Sequence, residues 1–154
     1  MNQVINEKME LGTRDSCQCD ECVAVCRVRP GWFLPEEVKS LANNLSISVQ
    51  NLFKQNLAID YYLKFGGHEK VFVLIPAVKE FASGDIFAPG NKGECSFLDN
   101  EEKCQIHDLG KPFECRRMIH FPRKEGNRGI AIKAWDTHDA QQMIKELVIG
   151  IYKG

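Results

Sequence analysis

Four cysteines fall within ten residues, at Cys17, Cys19, Cys22 and Cys26, and three more follow at Cys95, Cys104 and Cys115. No cysteine lies between Cys26 and Cys95, so two thiol-bearing segments flank a cysteine-free middle. Thiols two to four positions apart converge on one ion when the chain turns back on itself. Zinc takes four thiolate or imidazole ligands in a tetrahedron, and iron–sulfur clusters are held by thiolates on short loops. Disulfides are the competing use of so many cysteines, and an odd number argues against a complete disulfide framework. The stretch Met1 to Gly12 is polar and carries Glu7, Lys8 and Glu10, and no apolar stretch follows that could serve as a signal-peptide core. The expectation is a cytoplasmic protein in which thiols stay reduced and clustered cysteines bind metal.

The spacings differ between the two groups. Cys17-x-Cys19 is tight for a zinc ribbon and suits bridging thiolates or more than one metal. The second group runs Cys95-x8-Cys104-x10-Cys115, and soft thiolates of this kind select zinc, copper(I) or iron–sulfur over magnesium or calcium. His120, five residues after Cys115, adds an imidazole to the expected donor set. His107 is as well explained as a structural hydrogen-bonder, and His68 and His138 as solvated side chains. Arg116, Arg117, Arg123, Lys124 and Arg128 form a basic segment beside the second group. It reads as a solvated face, as charge that offsets several thiolates, or as a surface that meets an anionic partner. Seven thiolates and His120 suffice for two tetrahedral zinc ions, whereas four clustered cysteines with three left over suit an iron–sulfur centre.

The chain of 154 residues, 44% hydrophobic and 27% charged, is long enough for one domain with a core and short for two. A single domain over residues 1–154 is expected, with residues 1–14 as a flexible tail. A net charge of −1 supplies no overall field toward nucleic acid or an anionic membrane. The longest apolar run, Val71–Ala77, is interrupted by Pro76 and is too short to span a bilayer.

The middle of the chain predicts a helical hairpin. Pro35-Glu36-Glu37 suits a first helical turn, followed by an apolar face of Val38, Leu41, Ala42 and Leu45. Ser48 can cap a second helix that presents Val49, Leu52, Phe53 and Leu57. Ile59–Phe65 and Val71–Ile75 read as strands around a Gly66-Gly67 turn. Residues 81–93 are loop-like, Phe97-Leu98 and Gln105-Ile106 read as very short strands, and Pro112 can begin a short helix carrying Cys115. Alternation of Ile130, Ile132 and Ala134 predicts a strand over Arg128–Trp135. Asp136 or Thr137 can cap a last helix, Thr137–Tyr152, with Ala140, Ile144, Leu147, Val148 and Ile151 on one face. The expected fold is therefore a small α+β domain with short β elements and a cysteine-rich metal centre.

Taken together, Leu34-Pro35-Glu36-Glu37 through Leu57, Cys95-Ser96-Phe97-Leu98-Asp99, Cys104-Gln105-Ile106-His107 and Pro112-Phe113-Glu114-Cys115-Arg116 resemble the YkgJ-type cysteine-cluster family, a zinc- or iron-chelating domain. The likeness runs from Cys17 to Pro122. The family's first cluster has the form CxxCxxCC. Aligning Cys19, Cys22 and Cys26 with it leaves Val25 where the adjacent pair would begin and makes Cys17 extra. The resemblance implies Cys19, Cys22, Cys26, Cys95, Cys104 and Cys115 as ligands, with zinc or an iron–sulfur cluster as cofactor. Related cysteine motifs in flagellin-lysine methylases imply an alternative, an iron–sulfur-dependent group transferase.

The residues leave three functions open: a metal-binding protein, a cluster-dependent group-transfer enzyme, and a redox or electron-transfer module. No glycine-rich strand–turn–helix fingerprint is present, and Cys22-x3-Cys26 is not followed by a cysteine two residues later, as a radical S-adenosylmethionine spacing would require. Metal ions are the one partner the sequence names.

Overall fold

The computed structural model describes residues 31–64, 67, 69–79, 84, 93–101, 103–116 and 127–153. Cys17, Cys19, Cys22, Cys26, His120, His68, the expected tail and most of the expected 81–93 loop lie outside the described residues. So does the basic segment between Arg116 and Asn127.

Among the described residues the architecture is a small α+β domain, in which helices pack around one two-stranded antiparallel sheet. Helix α1, Pro35–Asn44, starts with proline at its first turn and Glu36 and Glu37 near its positive end, where both choices favour the helix. A leucine at the N-cap offers no side-chain acceptor. Glu37 supplies the other half of a capping box by accepting the Leu34 amide at 2.7 Å. The chain reverses at Ser46, which takes a left-handed φ of 58°. Helix α2, Val49–Asn56, then begins under a Ser48 cap whose hydroxyl accepts the Asn51 amide at 3.0 Å. The expected helical hairpin is present. Leu57, expected on its second helix, instead opens a strand.

Strands β1, Leu57–Leu63, and β2, Lys70–Pro76, pair in the register Ile59↔Leu74 and Tyr61↔Phe72. The turn between them closes where the Gly67 amide donates to the Lys64 carbonyl at 2.8 Å, with φ of 77° at Gly67. Gly66 lies outside the described residues. In place of the short strands expected at Phe97-Leu98 and Gln105-Ile106 there are two isolated bridges, Val78↔Cys95 and Leu98↔Cys104. Helices α3, His107–Gly110, and α4, Phe113–Arg116, are single turns, and α4 carries Cys115 as expected.

Arg128–Trp135 is not a strand. The segment is helix α5, Asn127–Trp135. The residues it buries completely are Ala131 and Trp135, four apart on one face, while Ile130 is exposed and Ile132 and Ala134 are half-buried. An alternation two residues apart thus coincided with a helix that buries a different pair. The Trp135 indole fixes the choice by donating to the Phe33 carbonyl at 2.6 Å. Helix α6, His138–Lys153, follows under a Thr137 cap, whose hydroxyl accepts the Ala140 amide at 3.1 Å. Its Ala140, Ile144 and Leu147 are buried, and it packs on α2, β2 and α5.

One core joins these elements. Trp32, Phe33, Val38, Leu41, Leu52, Phe53, Leu74, Ile75, Ile106, Phe113 and Trp135 are all buried within it. Two polar devices close the sheet. The Phe33 amide donates to the Leu74 carbonyl at 3.1 Å. The Gln141 amide group both accepts the Phe72 N–H, at 3.0 Å, and donates to the Phe72 carbonyl, at 2.8 Å, standing in for a neighbouring strand. No helix among the described residues is long and apolar enough to cross a membrane.

Candidate metal centre

Cys95 and Cys104 are positioned by one small loop system. Cys95 bridges Val78 and is 6% exposed. It begins a turn closed by the Leu98 amide donating to the Cys95 carbonyl at 3.1 Å. Leu98 in turn bridges Cys104, and the Gln105 amide donates to the Phe97 carbonyl at 2.8 Å. Asp99 holds the connection between them. Its Oδ1 accepts the amides of Glu101 at 2.8 Å and Lys103 at 2.9 Å, and its own amide donates to the Lys103 carbonyl. Phe97 and Ile106 bury their side chains in the core and pin these loops to it, and Leu98 is also buried. The apolar and acidic positions around the cysteines are thus the ones that shape the loops.

Cys115 sits half-buried on α4, and one of its neighbours is 84 residues earlier in the chain. Its sulfur lies against Gly31: a Cβ placed on Gly31 would stand 2.8 Å from Cys115 Sγ and 2.9 Å from Glu114 Cβ. Only a residue without a side chain permits that approach. The two segments are laced by hydrogen bonds. Glu114 Oε1 accepts the Trp32 amide at 2.8 Å, and the Glu114 amide donates to the Trp32 carbonyl at 3.3 Å. Glu37 Oε1, already bonded to Leu34, also accepts the Phe113 amide at 3.0 Å and so caps the first turn of α4 from another helix. The Trp32 indole donates to buried Asp60 at 2.9 Å, which anchors this segment to β1.

His107 pairs with Lys111 at the far end of its own turn. Its Nδ1 lies 3.1 Å from the ammonium of Lys111. A lysine ammonium can only donate, so Nδ1 accepts and the remaining ring proton sits on Nε2. Burial, and then the Lys111 charge, hold the His107 pKa below its ordinary value, with Asp108 acting weakly the other way.

Among the described residues no group of three or more cysteine, histidine, aspartate or glutamate side chains converges as a metal cage. Cys95, Cys104 and Cys115 therefore do not complete a site on their own. Cys17, Cys19, Cys22, Cys26 and His120 lie outside the described residues. A groove of about 320 Å³ beside the starts of α1 and α6 is lined by Pro35, Glu36, Lys39, Ala134, Thr137, Asp139, Ala140 and Met143. It holds no thiol or imidazole.

Three residues that organise the site carry no local signal of that role. Glu37 has the sequence position of a capping-box glutamate, but its second partner is 76 residues away. Glu114 and Gly31 meet only through the fold. Comparison with known protein families, curated proteins and solved structures finds no match.

Proposed function

We propose that this protein holds zinc or an iron–sulfur cluster through Cys17, Cys19, Cys22 and Cys26 together with Cys95, Cys104 and Cys115, with His120 as a further donor. The observation that carries the reading is the contact of Gly31 with the Cys115 sulfur. Cys26 precedes Gly31 by five residues, a tether of at most about 18 Å. Chain length therefore permits Cys26 to reach the neighbourhood of Cys115. The donor chemistry agrees, since thiolates select soft metals; Cys95, Cys104 and Cys115 form no cage among the described residues, and the proposal takes its further donors from Cys17, Cys19, Cys22, Cys26 and His120.

Within this reading each residue has a task. The thiolates supply charge and ligation. Asp99 shapes the loop that carries Cys95 and Cys104, and Glu114 binds the segment leading to the first cluster. A bound metal would add the folding energy of its own cage to a domain whose core already includes Cys95.

The test is metal analysis of full-length protein purified without oxygen. The expected result is stoichiometric zinc in a colourless preparation, or a brown one absorbing at roughly 400 nm from thiolate-bound iron. Cys115→Ser should lower bound metal, because serine is a hard and poorly acidic ligand. Equal metal in the wild type and in this variant, with melts indifferent to chelator, would overturn the proposal.

A further inference from the structure

The sharing of one carboxylate oxygen between two distant helix starts points to a role beyond capping. Glu37 Oε1 accepts the Leu34 amide at 2.7 Å and the Phe113 amide at 3.0 Å. Leu34 lies three residues after Gly31, and Phe113 begins the turn that carries Cys115. These two segments meet where Gly31 lies against the Cys115 sulfur. Helix α4 has only four residues, too few to hold its own geometry through internal hydrogen bonds. Its orientation depends on what accepts its first amides, and the Phe113 amide is accepted by Glu37.

We infer that Glu37 is a positioning residue for the Cys115 thiolate, fixing the angle at which α4 presents the sulfur beside Gly31. Glu114 completes the latch from the other side, by accepting the Trp32 amide. The effect is that of an outer partner on a ligand: it holds the donor atom in place before anything binds, so the ordering cost is met by the fold. The two hydrogen bonds need an acceptor oxygen, which glutamine also supplies. Glutamine at position 37 therefore retains both hydrogen bonds, and alanine loses them.

The metal-affinity part of this inference rests on the metal-centre proposal; the thiol-presentation part does not. The experiment uses full-length wild type, Glu37→Ala and Glu37→Gln, with melts recorded to confirm that each folds. Metal-free protein is treated briefly with iodoacetamide, and the alkylation rates of Cys115 and Cys104 are read separately by peptide mass mapping. In parallel, zinc ion alone is titrated against a chromophoric chelator. Expected is a change in the Cys115 rate in Glu37→Ala with Cys104 unchanged, about tenfold weaker zinc affinity, and return of both to wild-type values in Glu37→Gln. An unchanged Cys115-to-Cys104 rate ratio in folded Glu37→Ala overturns the inference, whatever happens to the melting temperature. If Glu37→Ala does not fold, the same comparison with Glu37→Met, which keeps the side-chain length without an acceptor oxygen, decides it. Wild-type protein that takes up no zinc and carries no iron would remove the metal-centre reading, while the alkylation ratio would still decide the role of Glu37.

Discussion

Gly31→Ala is the sharpest perturbation of the candidate centre, because one methyl group is added directly against a sulfur. The new Cβ would stand 2.8 Å from Cys115 Sγ, 2.9 Å from Glu114 Cβ and 3.1 Å from the Cys115 amide nitrogen, where ordinary contacts begin at 3.4 Å. Backbone and side chain must therefore separate by about 0.6 Å or more. Neither side yields easily. Trp32, next in sequence, is buried and bonded to Glu114 and Asp60, and α4 is capped by Glu37. Overpacking of this kind costs about 1–3 kcal/mol. The effect on a metal should be larger in proportion, since ligand distances tolerate only about 0.2 Å. Urea unfolding of metal-free protein measures the first quantity, and zinc titration against a chelator measures the second. A loss of zinc affinity greater than the loss of stability is expected. Wild-type behaviour in both assays would refute the packing of Gly31 on Cys115 and with it the tether that supports the proposed centre.

Other outcomes follow from the same structure. Leu147→Ala removes a buried side chain of α6 and should cost about 2–5 kcal/mol, with metal per folded molecule unchanged; metal lost from folded protein would contradict the separation of α6 from the centre. Gln141→Leu leaves the Phe72 amide and carbonyl and the Trp135 carbonyl without their partner, at about 0.5–1.5 kcal/mol for each bond; urea unfolding with a midpoint equal to wild type would show that the side chain does not close the sheet edge. His107 has its pKa lowered from 6.5, so the unfolded chain takes up a proton before the folded one as pH falls. Its contribution to stability is full above pH 6.5 and is lost as the pH falls from there toward the lower folded value. Melting temperatures of His107→Gln should therefore fall less than those of wild type across that window, and parallel curves would refute the burial of a neutral imidazole.

Local chemistry in the sequence was enough to specify α1, α2 and α6, because their signals are contained within each element. Proline and glutamates open α1, Ser48 opens α2, Thr137 opens α6, and each helix carries an apolar face at its own period. The strands around the Gly67 turn were legible for the same reason. Their ends were not, since Leu57 continues the apolar pattern of α2 and only pairing with Pro76 draws it into the sheet. Over Arg128–Trp135 the residues at 130, 132 and 134 fit a strand, while Ala131 and Trp135 fit a helix. The buried Trp135 indole, bonded to Phe33 in a distant segment, decided between them. The cysteines were legible as candidate soft-metal donors by type and spacing alone, for thiolate affinity is a property of the atom. What surrounds each sulfur is a property of the fold. Gly31 meets Cys115, and Glu37 meets Phe113, across separations that no local pattern encodes, because those contacts form only when a shared core brings distant segments into register.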